Sequence, residues 1–344
     1  MKHRPRPYTP LLALAALGIA AAPPAQTVTV IDADRDATIF SENDLAANGT
    51  GSCFHGQTSS GNLRRALLHF DVSSIPSDAT IVQATLTVDA DRAASGASFT
   101  NTAHRLTADW TEGSSFSMGQ GAPAMAGDVT WRDRSFGVSS WTNPGGDFDA
   151  MPSAMGTWAS LGPQTMTGAQ LASDVAGWIA NPGNNYGLIV LGTETGVRSA
   201  FSFRSREIGG GNPAQLEVTW LPAATVTTLG PGCQGLTLAA SAPPSLGTTI
   251  TLNLSGGPTN LSGEAALFST AALPGPVTLF GCPLWIDPTQ VLAAIPFNAQ
   301  RAINLSVGTD LSNLGLSLTV QGAGIDVAGS SVVTSTALTL TVGG

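Results

Sequence analysis

Positive charge is scarce in this sequence of 344 residues. It contains one lysine, Lys2, and 14 basic residues in all against 23 acidic ones, which gives a formal net charge of −9. A protein that binds nucleic acid needs a basic surface for the phosphates. The composition therefore predicts no nucleic-acid partner. The negative field also disfavours anionic polysaccharides, unless a local arginine cluster or a bridging cation intervenes.

Long apolar segments are also lacking, apart from one near the N-terminus. Residues 11–22 form a short apolar run between a basic stretch and a group of small residues. This order is typical of a secretory signal peptide, and the run is too short to span a membrane. We predict that residues 1–25 are removed and that the mature chain has no membrane span. The protein would then be secreted or held at the cell surface, with eleven arginines facing 23 acidic residues, a net charge of −12.

Sequence signatures of catalysis are missing as well. The chain has no G-x-S-x-G motif, no H-E-x-x-H motif and no phosphate-binding loop. Residues 230–235 match the dinucleotide pattern G-x-G-x-x-G in form. However, proline follows the first glycine, and a strand-like segment follows where a helix is required. We therefore predict that the protein is not an enzyme and holds no organic cofactor.

Cysteine is limited to three residues. Cys233 and Cys282 lie in the C-terminal part and are the natural pair for a disulfide, which an exported protein keeps oxidised. Cys53 is left over, and we interpret it as either a buried free thiol or an intermolecular link.

Alternation of apolar and polar residues with period two is abundant. Residues 81–89 and 215–220 both show it, which is the pattern of half-buried strands. In the first run, the residues predicted to face the core are Val82, Ala84, Leu86 and Val88. Residues 188–191 are apolar throughout, which predicts a central strand. Turn sequences rich in Asn, Pro and Gly separate these runs.

One segment has the pattern of a helix. Residues 168–179 place four apolar side chains on one face, namely Leu171, Val175, Trp178 and Ile179. Thr167 and Gln170 have the spacing of a capping box at its start. The predicted fold class is therefore all-β, a β-sandwich with one short packed helix.

The composition changes after Trp220. Residues 221–224 have the composition of a linker, and ten of the eleven arginines of the mature chain precede it. The remainder again shows alternating strands and is short enough for a disulfide to matter for stability. We predict a signal peptide over residues 1–25, a β-sandwich over 26–221 and a second, smaller β-sandwich over 222–344.

The first predicted domain carries several motifs in a fixed order. They include Arg64-Arg65-Ala66-Leu67-Leu68, Asp109-Trp110-Thr111-Glu112-Gly113, Asn185-Tyr186-Gly187 and Ser205-Arg206-Glu207. Together they resemble the DNRLRE domain, an all-β module of secreted proteins that is related to carbohydrate-binding module family 96. The resemblance extends from Val28 to Trp220. It implies a β-sandwich of jelly-roll type and a role in carbohydrate binding that is accessory to catalysis.

Charged residues inside apolar strands need partners. Arg64 and Glu207 each share a strand face with apolar residues, so both should enter the core. We predict that they form a buried ion pair, because either charge left alone there would be strongly destabilising. The opposite strand faces carry Arg65, Arg204 and Arg206, which we interpret as an exposed cluster that binds a carboxylated sugar.

Tryptophan rings offer flat surfaces on which sugar rings stack. Trp131 and Trp141 fall in loop-like segments, so they are the best candidates for such a surface. The alternative for any one of them is a place in the core, where large aromatic residues are more often found.

Three aspartates, Asp32, Asp34 and Asp36, are spaced at period two. Calcium prefers oxygen ligands of this kind, so we interpret them as ligands of a structural Ca²⁺. The alternative is a solvated strand edge, because the spacing does not match a known calcium loop.

The leading hypothesis is a secreted, non-catalytic protein that binds extracellular polysaccharide or cell-surface material. The alternative is a structural or adhesive protein of the cell envelope or matrix with no sugar ligand. The first requires exposed aromatic rings in one strip, whereas the second predicts that every tryptophan is buried. An enzyme would need a cleft with two convergent carboxylates or a serine–histidine pair.

Overall fold

A computed structural model of the protein describes residues 26–93, 98–195, 198–209 and 212–344, and the predicted signal peptide lies outside them. The described chain is mainly β-structure with one α-helix, so the prediction of an all-β fold is confirmed. It divides into two compact units after Leu221. No helix within these described ranges is long and apolar enough to cross a membrane.

The described part of the N-terminal unit contains fifteen strands and one α-helix. The strands are β1 (Thr27–Asp32), β2 (Arg35–Phe40), β3 (Ala46–Asn48), β4 (Cys53–Gln57), β5 (Leu63–His69), β6 (Thr80–Arg92), β7 (Phe99–Arg105), β8 (Ala122–Pro123), β9 (Asp133–Ser135), β10 (Ser139–Ser140), β11 (Ala154–Trp158), β12 (Gly162–Thr167), β13 (Leu188–Leu191), β14 (Phe201–Phe203) and β15 (Gln215–Leu221). The helix α1 spans Ala169–Ala180, and short 3₁₀ turns cover Val72–Ser74 and Pro182–Asn184.

Hydrogen bonds join all of these strands except the β9–β10 hairpin into one antiparallel sheet. Its strand order is β1-β15-β6-β12-β11-β7-β13-β5-β2-β3-β8, and β4 and β14 connect β5 to β6. Eight strands therefore follow one another in a closed ring, in the order β6, β12, β11, β7, β13, β5, β4 and β14. Period-two alternation could not predict this closure, because it reports which face of a strand is buried and not which strand lies beside it.

The interior of this ring is the main core of the unit. Leu68, Leu86, Leu188 and Phe203 are fully buried there. The helix α1 contributes Leu171, Val175 and Trp178 to the same cluster, as its apolar face predicts. Full burial of one such side chain contributes about 1.5–3 kcal/mol.

The N-terminus of α1 differs from the prediction. The helix begins at Ala169, and its N-cap residue Gly168 offers no side-chain cap. Gln170 donates instead to the carboxylate of Asp174 one turn further on, at 2.9 Å. The predicted capping box is therefore wrong, and a local side-chain pair within the helix takes its place.

Val82 also departs from its predicted place in the core. Successive residues of β15 pair with Gln83 and then Ile81, which leaves Val82 as an extra residue in β6. Such a β-bulge shifts the alternation by one position. The predicted face holds from Ala84 onwards, whereas Val82 is 44% exposed.

A second apolar layer covers the outer face of β2, β5 and β13. It combines residues of these strands with residues from the segment 106–141, namely Ala37, Ile39, Leu67, Leu106, Trp110, Val129, Trp141 and Ile189. The strands β5 and β13 are consequently buried on both faces. This confirms that residues 188–191 form a central strand.

The C-terminal unit contains ten strands. They are β16 (Thr225–Gly230), β17 (Thr237–Ala240), β18 (Thr249–Ser255), β19 (Leu261–Ser269), β20 (Ala272–Leu279), β21 (Cys282–Ile286), β22 (Val291–Pro296), β23 (Ala302–Ser306), β24 (Ser317–Asp326) and β25 (Ser331–Thr341). Short 3₁₀ turns cover Pro288–Gln290 and Leu311–Asn313.

Two sheets of this unit share one core. The five-stranded sheet has the order β16-β25-β24-β19-β22, and the three-stranded sheet has the order β17-β18-β23. Leu252 and Leu305 of the smaller sheet and Val320 and Leu338 of the larger one belong to the same buried cluster. The strands β20 and β21 form a separate hairpin.

The predicted disulfide is present in the C-terminal unit. Cys233 and Cys282 are bonded, with their Cα atoms 5.4 Å apart, and the bond joins the segment before β17 to the first residue of β21. The bond therefore links the chain near the start of the unit to the β20–β21 hairpin.

Candidate functional site

Arg64 is buried in β5, as predicted, but its partner is Glu42. Its Nη1 and Nη2 atoms each donate to one oxygen of the Glu42 carboxylate at 2.5 Å. The guanidinium also lies over the ring of Phe40, 4.7 Å from the ring centroid. Glu207 pairs with Arg206 instead, with 2.8 Å between Oε1 and Nε. The predicted Arg64–Glu207 ion pair is therefore wrong.

The register of β2 and β5 explains the partner of Arg64. Phe40, the last residue of β2, lies opposite Arg64. The chain turns directly after Phe40, and this turn brings Glu42 to the guanidinium. Strand alternation predicted that Arg64 is buried but carried no information on the neighbouring strand.

Arg65 forms a second well-ordered arrangement, which we call the Arg65 stack and define as Arg65, Trp131, Phe148 and Glu194. The guanidinium carbon lies 4.8 Å from the ring centroid of Trp131 and 5.4 Å from that of Phe148. Nε and Nη2 donate to the two carboxylate oxygens of Glu194 at 2.8 Å each. Nη1 donates to the carbonyl of Gly145 at 2.8 Å, so each nitrogen of the guanidinium donates a hydrogen bond.

The surroundings of the Arg65 stack add further aromatic and polar groups. His104 meets the ring of Phe148 edge-on, with ring centroids 5.3 Å apart. Burial lowers the pKa of His104, although its hydrogen bond with the carbonyl of Asp149 opposes this shift. Tyr186 lies against the same apolar layer. Trp131, Phe148 and Tyr186 are all half-buried.

Arg204 and Arg206 do not join Arg65 in a basic cluster. Arg204 pairs with Asp89, with 3.3 Å between Nε and Oδ2. Arg206 pairs with Glu112, with 2.5 Å between Nη2 and Oε2. The three arginines thus pair with separate carboxylates, since Arg206 also pairs with Glu207, and the predicted exposed cluster of these arginines is not present.

Trp141 is not a sugar platform. It is 5% exposed, packs in the second apolar layer, and donates from Nε1 to the carbonyl of Thr130 at 3.1 Å. Of the other tryptophans, Trp110, Trp158 and Trp178 are buried, and Trp131, Trp220 and Trp285 are half-buried. Trp131 is therefore the remaining candidate of the two that the sequence indicated.

The three aspartates predicted to bind calcium do not converge. Asp32 accepts a hydrogen bond from Gln215 at 2.8 Å, and Asp34 pairs with Nδ1 of His69 at 2.5 Å. Asp36 is fully buried. The strand β1 ends at Asp32 and β2 begins after Asp34, so the chain bends between these residues. Period-two spacing places side chains on one face only within a continuous strand, which is why the prediction fails.

Asp36 meets two glutamates instead. One carboxylate oxygen from each of Asp36, Glu112 and Glu207 lies within 4.8 Å of the other two, and we call these three residues the acidic triad. The Nε atom of Arg206 lies 3.1 Å from Oε1 of Glu112 and 2.8 Å from Oε1 of Glu207. The backbone N–H of Arg206 donates to Oδ2 of Asp36 at 2.9 Å, and the N–H of Asp36 donates to Oε1 of Glu112 at 2.7 Å.

The motifs of the sequence contain the members of this triad. Glu112 belongs to Asp109-Trp110-Thr111-Glu112-Gly113, and Glu207 ends Ser205-Arg206-Glu207. The sequence does not predict that these motifs meet at Asp36, because the only signal it offers is their occurrence in one domain.

Burial dominates the electrostatics of the acidic triad. Burial, together with the charge of Glu207, raises the pKa of Asp36 to about 7, although the backbone hydrogen bond from Arg206 opposes this shift. Burial and the charge of Glu112 also raise the pKa of Glu207. The thiol of Cys53 donates to Oδ1 of Asp36 at 3.3 Å. Burial, and then the Asp36 charge, raise the pKa of this thiol as well.

Cys53 is a free thiol that is fully buried. Of the two interpretations of this residue, the buried thiol is therefore the one that the fold shows. An intermolecular disulfide would require β4 to leave the closed sheet.

We expect that a thiol reagent does not label Cys53 in the native protein, because the reagent needs an accessible thiolate. Unfolding in denaturant without reductant should expose one reactive thiol per chain, since the two other cysteines are bonded. Labelling with a maleimide followed by intact-mass measurement checks this. Stoichiometric labelling without denaturant would contradict the burial of Cys53.

No protein-family model matches the chain, and no curated protein matches it significantly. The resemblance to the DNRLRE domain thus stays a prediction that rests on its motifs.

Proposed function

We propose that the protein is a secreted, non-catalytic polysaccharide-binding protein whose N-terminal unit binds sugar at the Arg65 stack. The observation that carries this proposal is the pair of half-buried rings, Trp131 and Phe148, that lie close to one guanidinium whose three nitrogen atoms are each hydrogen-bonded. Sugar sites combine an apolar ring surface with a few fixed polar groups. Because these groups are already ordered, binding would lose little side-chain entropy.

The charge of the stack favours a neutral sugar. The guanidinium edge of Arg65 that carries Nε and Nη2 is occupied by the carboxylate of Glu194 in a bidentate pair. A uronic acid would have to displace Glu194 from this pair. Hydroxyl groups of a neutral polysaccharide can instead accept hydrogen bonds from the remaining N–H groups of Arg65 and donate to the remaining lone pairs of Glu194 without breaking this pair.

Trp131→Ala is expected to weaken polysaccharide binding at least about tenfold, because it removes the largest accessible ring of the stack. Affinity electrophoresis of the mature protein through gels that contain neutral or uronic-acid polysaccharides measures the effect. Trp220→Ala is the matched control, because Trp220 is also half-buried but lies on β15, where its Nε1 donates to Thr29. Equal losses in the two variants would contradict binding at the stack.

A structural or adhesive protein of the cell envelope is the second candidate. The burial of four of the seven tryptophans favours it, since this candidate predicts buried tryptophans. Absence of retardation of the wild-type protein in every gel would leave this candidate ahead.

A further inference from the structure

The strand β1 forms an edge of the large sheet. Within the described ranges it pairs with β15 alone, so no strand bonds to the N–H and C=O groups along its other side. Its residues are correspondingly open to solvent, since Thr27, Val28, Val30 and Asp32 are exposed and Thr29 is half-buried. An open edge of this kind can accept a further strand.

This edge lacks the features that usually prevent strand addition. Natural proteins protect open edges with lysine, proline, inward-pointing charges or a β-bulge. The strand β1 contains no lysine and no proline, its one charged residue is Asp32 at its end, and it pairs with β15 residue by residue without a bulge. Val28 and Val30 lie on the same face of the strand and are 53% and 52% exposed. Both the backbone and the side chains of β1 therefore suit pairing with another strand.

The sequence of β1 is complementary to itself. In an antiparallel pair, residues directly opposite each other have their side chains on the same face. A two-fold axis through Thr29 places Val28 opposite Val30 of a second copy, and this pair occurs twice. The same register places Asp32 opposite Gln26 of the second copy, so no two like charges face each other. In a chain with a net charge of −9, the uncharged stretch 26–31 thus lets two copies meet without facing carboxylates.

The carboxylate of Glu217 is compatible with this pairing. Glu217 is exposed on β15 and lies opposite Val30 of β1. In the paired arrangement the strand order is β15-β1-β1-β15, so three strand spacings of about 4.8 Å, or about 14 Å in all, separate the two Glu217 residues. This separation exceeds the Debye length of about 8 Å at physiological ionic strength. The repulsion between these carboxylates is therefore largely screened.

We propose that β1 pairs with β1 of a second copy of this chain, antiparallel and centred on Thr29. The large sheets of the two N-terminal units then continue into one another. Both copies use the same surface, so the assembly closes at two copies along this edge. One pair of strands buries less surface than a permanent dimer requires. The dimer is therefore reversible and its population depends on protein concentration.

Sedimentation velocity of the mature protein over a series of micromolar concentrations tests the proposal. We expect the mean sedimentation coefficient to rise with concentration from the value of a monomer towards that of a dimer. The double variant Val28→Lys, Val30→Lys should raise the Kd of the dimer at least about tenfold, because each lysine then faces a lysine of the second copy. The matched control is Val138→Lys, Val327→Lys, since these valines are 78% and 63% exposed and lie outside the edge.

A variant of opposite charge guards the test against misfolding. Val28→Glu, Val30→Glu should also be monomeric, whereas an equimolar mixture with the lysine variant should dimerise, because each lysine then faces a glutamate. A wild-type protein that stays monomeric at every concentration would overturn the proposal, and so would equal Kd values for the lysine variant and its control. A mixture that stays monomeric would overturn the pairing centred on Thr29. None of these readouts depends on sugar binding.

Discussion

Glu42→Leu is expected to lower the free energy of unfolding of the N-terminal unit by about 3 kcal/mol or more. The substitution removes the partner of a guanidinium that is 4% exposed, and a buried charge left without its partner costs about 3–5 kcal/mol. We expect the lower end of that range, because Glu42 itself is 28% exposed and water can reach part of the vacated site.

The opposite substitution should cost less. Arg64→Met removes the buried charge itself and leaves a carboxylate that is partly exposed and can be hydrated. The methionine side chain would also keep much of the apolar contact with Phe40, over which the guanidinium lies. Replacement of buried ionic groups by apolar ones of similar volume is often close to neutral. Arg64→Met should therefore destabilise the unit less than half as much as Glu42→Leu.

Urea unfolding followed by tryptophan fluorescence measures both effects, since six of the seven tryptophans belong to the N-terminal unit. A double-mutant cycle between Arg64→Met and Glu42→Leu should give a coupling energy of about 2 kcal/mol. The same cycle with Glu207→Gln should be additive within about 0.5 kcal/mol. A larger coupling energy of Arg64 with Glu207 than with Glu42 would contradict the Arg64–Glu42 pair and support the Arg64–Glu207 ion pair that the sequence alone predicts.

Arg64 shows what the alternation along a strand can predict from the sequence and what it cannot. Alternation along β5 placed Arg64 among apolar residues, and this placement is correct. The pattern could not identify Glu42, because a pairing between strands depends on register and on the turn after β2. Trp131 and Trp141 show the same limit. Both lie in loop-like sequence, yet Trp131 is half-buried, whereas Trp141 is covered by packing between distant segments.

The Asn185-Tyr186-Gly187 motif has a physical explanation that the sequence only hinted at. Asn185 donates from its side chain to the carbonyl of Phe70 at 2.8 Å, just after β5. Gly187 has φ of +81°, and a Cβ atom there would lie 2.0 Å from the carbonyl oxygen of Leu68. A side chain would therefore clash with β5 and strain the backbone. The motif therefore fixes the position at which β13 begins to pair with β5, the strand that carries Arg65.

His55 gives the largest pH effect that we expect from one histidine. The residue is fully buried on β4, and its ring lies 4.8 Å from that of Trp158. Nε2 donates to Oδ1 of Asn101 at 2.9 Å, whereas Nδ1 has no hydrogen-bond partner. Burial lowers the pKa of His55 from 6.5 to about 4, although the hydrogen bond with Asn101 opposes this shift.

The sign of the effect follows from proton binding. Between pH 6.5 and pH 4 the unfolded chain binds a proton at His55 that the folded chain does not bind. The contribution of His55 to stability is therefore complete above pH 6.5 and is lost as the pH falls towards 4. The loss amounts to about 3 kcal/mol, because each pH unit is equivalent to about 1.4 kcal/mol.

The wild-type profile alone does not isolate this contribution. Asp36 acts in the opposite direction, because its raised pKa makes the folded state bind a proton between about pH 7 and the ordinary value of 3.8. The comparison with His55→Gln removes this term, since both proteins keep Asp36. Glutamine does not titrate, and its amide can still donate to Asn101.

The difference in unfolding free energy between wild type and His55→Gln is thus expected to shift by about 3 kcal/mol in favour of the variant between pH 7 and pH 4. The loss of ring packing in the variant adds an offset that does not change with pH and is seen at pH 7. Carboxylates with a lowered pKa, such as Asp34 and Asp147, lose their contribution only at more acidic pH and do so in both proteins. Parallel profiles of the two proteins from pH 7 to pH 4 would mean that His55 takes up a proton as readily in the folded core as in the unfolded chain. That result would require water or a proton acceptor to reach Nδ1 inside the closed sheet.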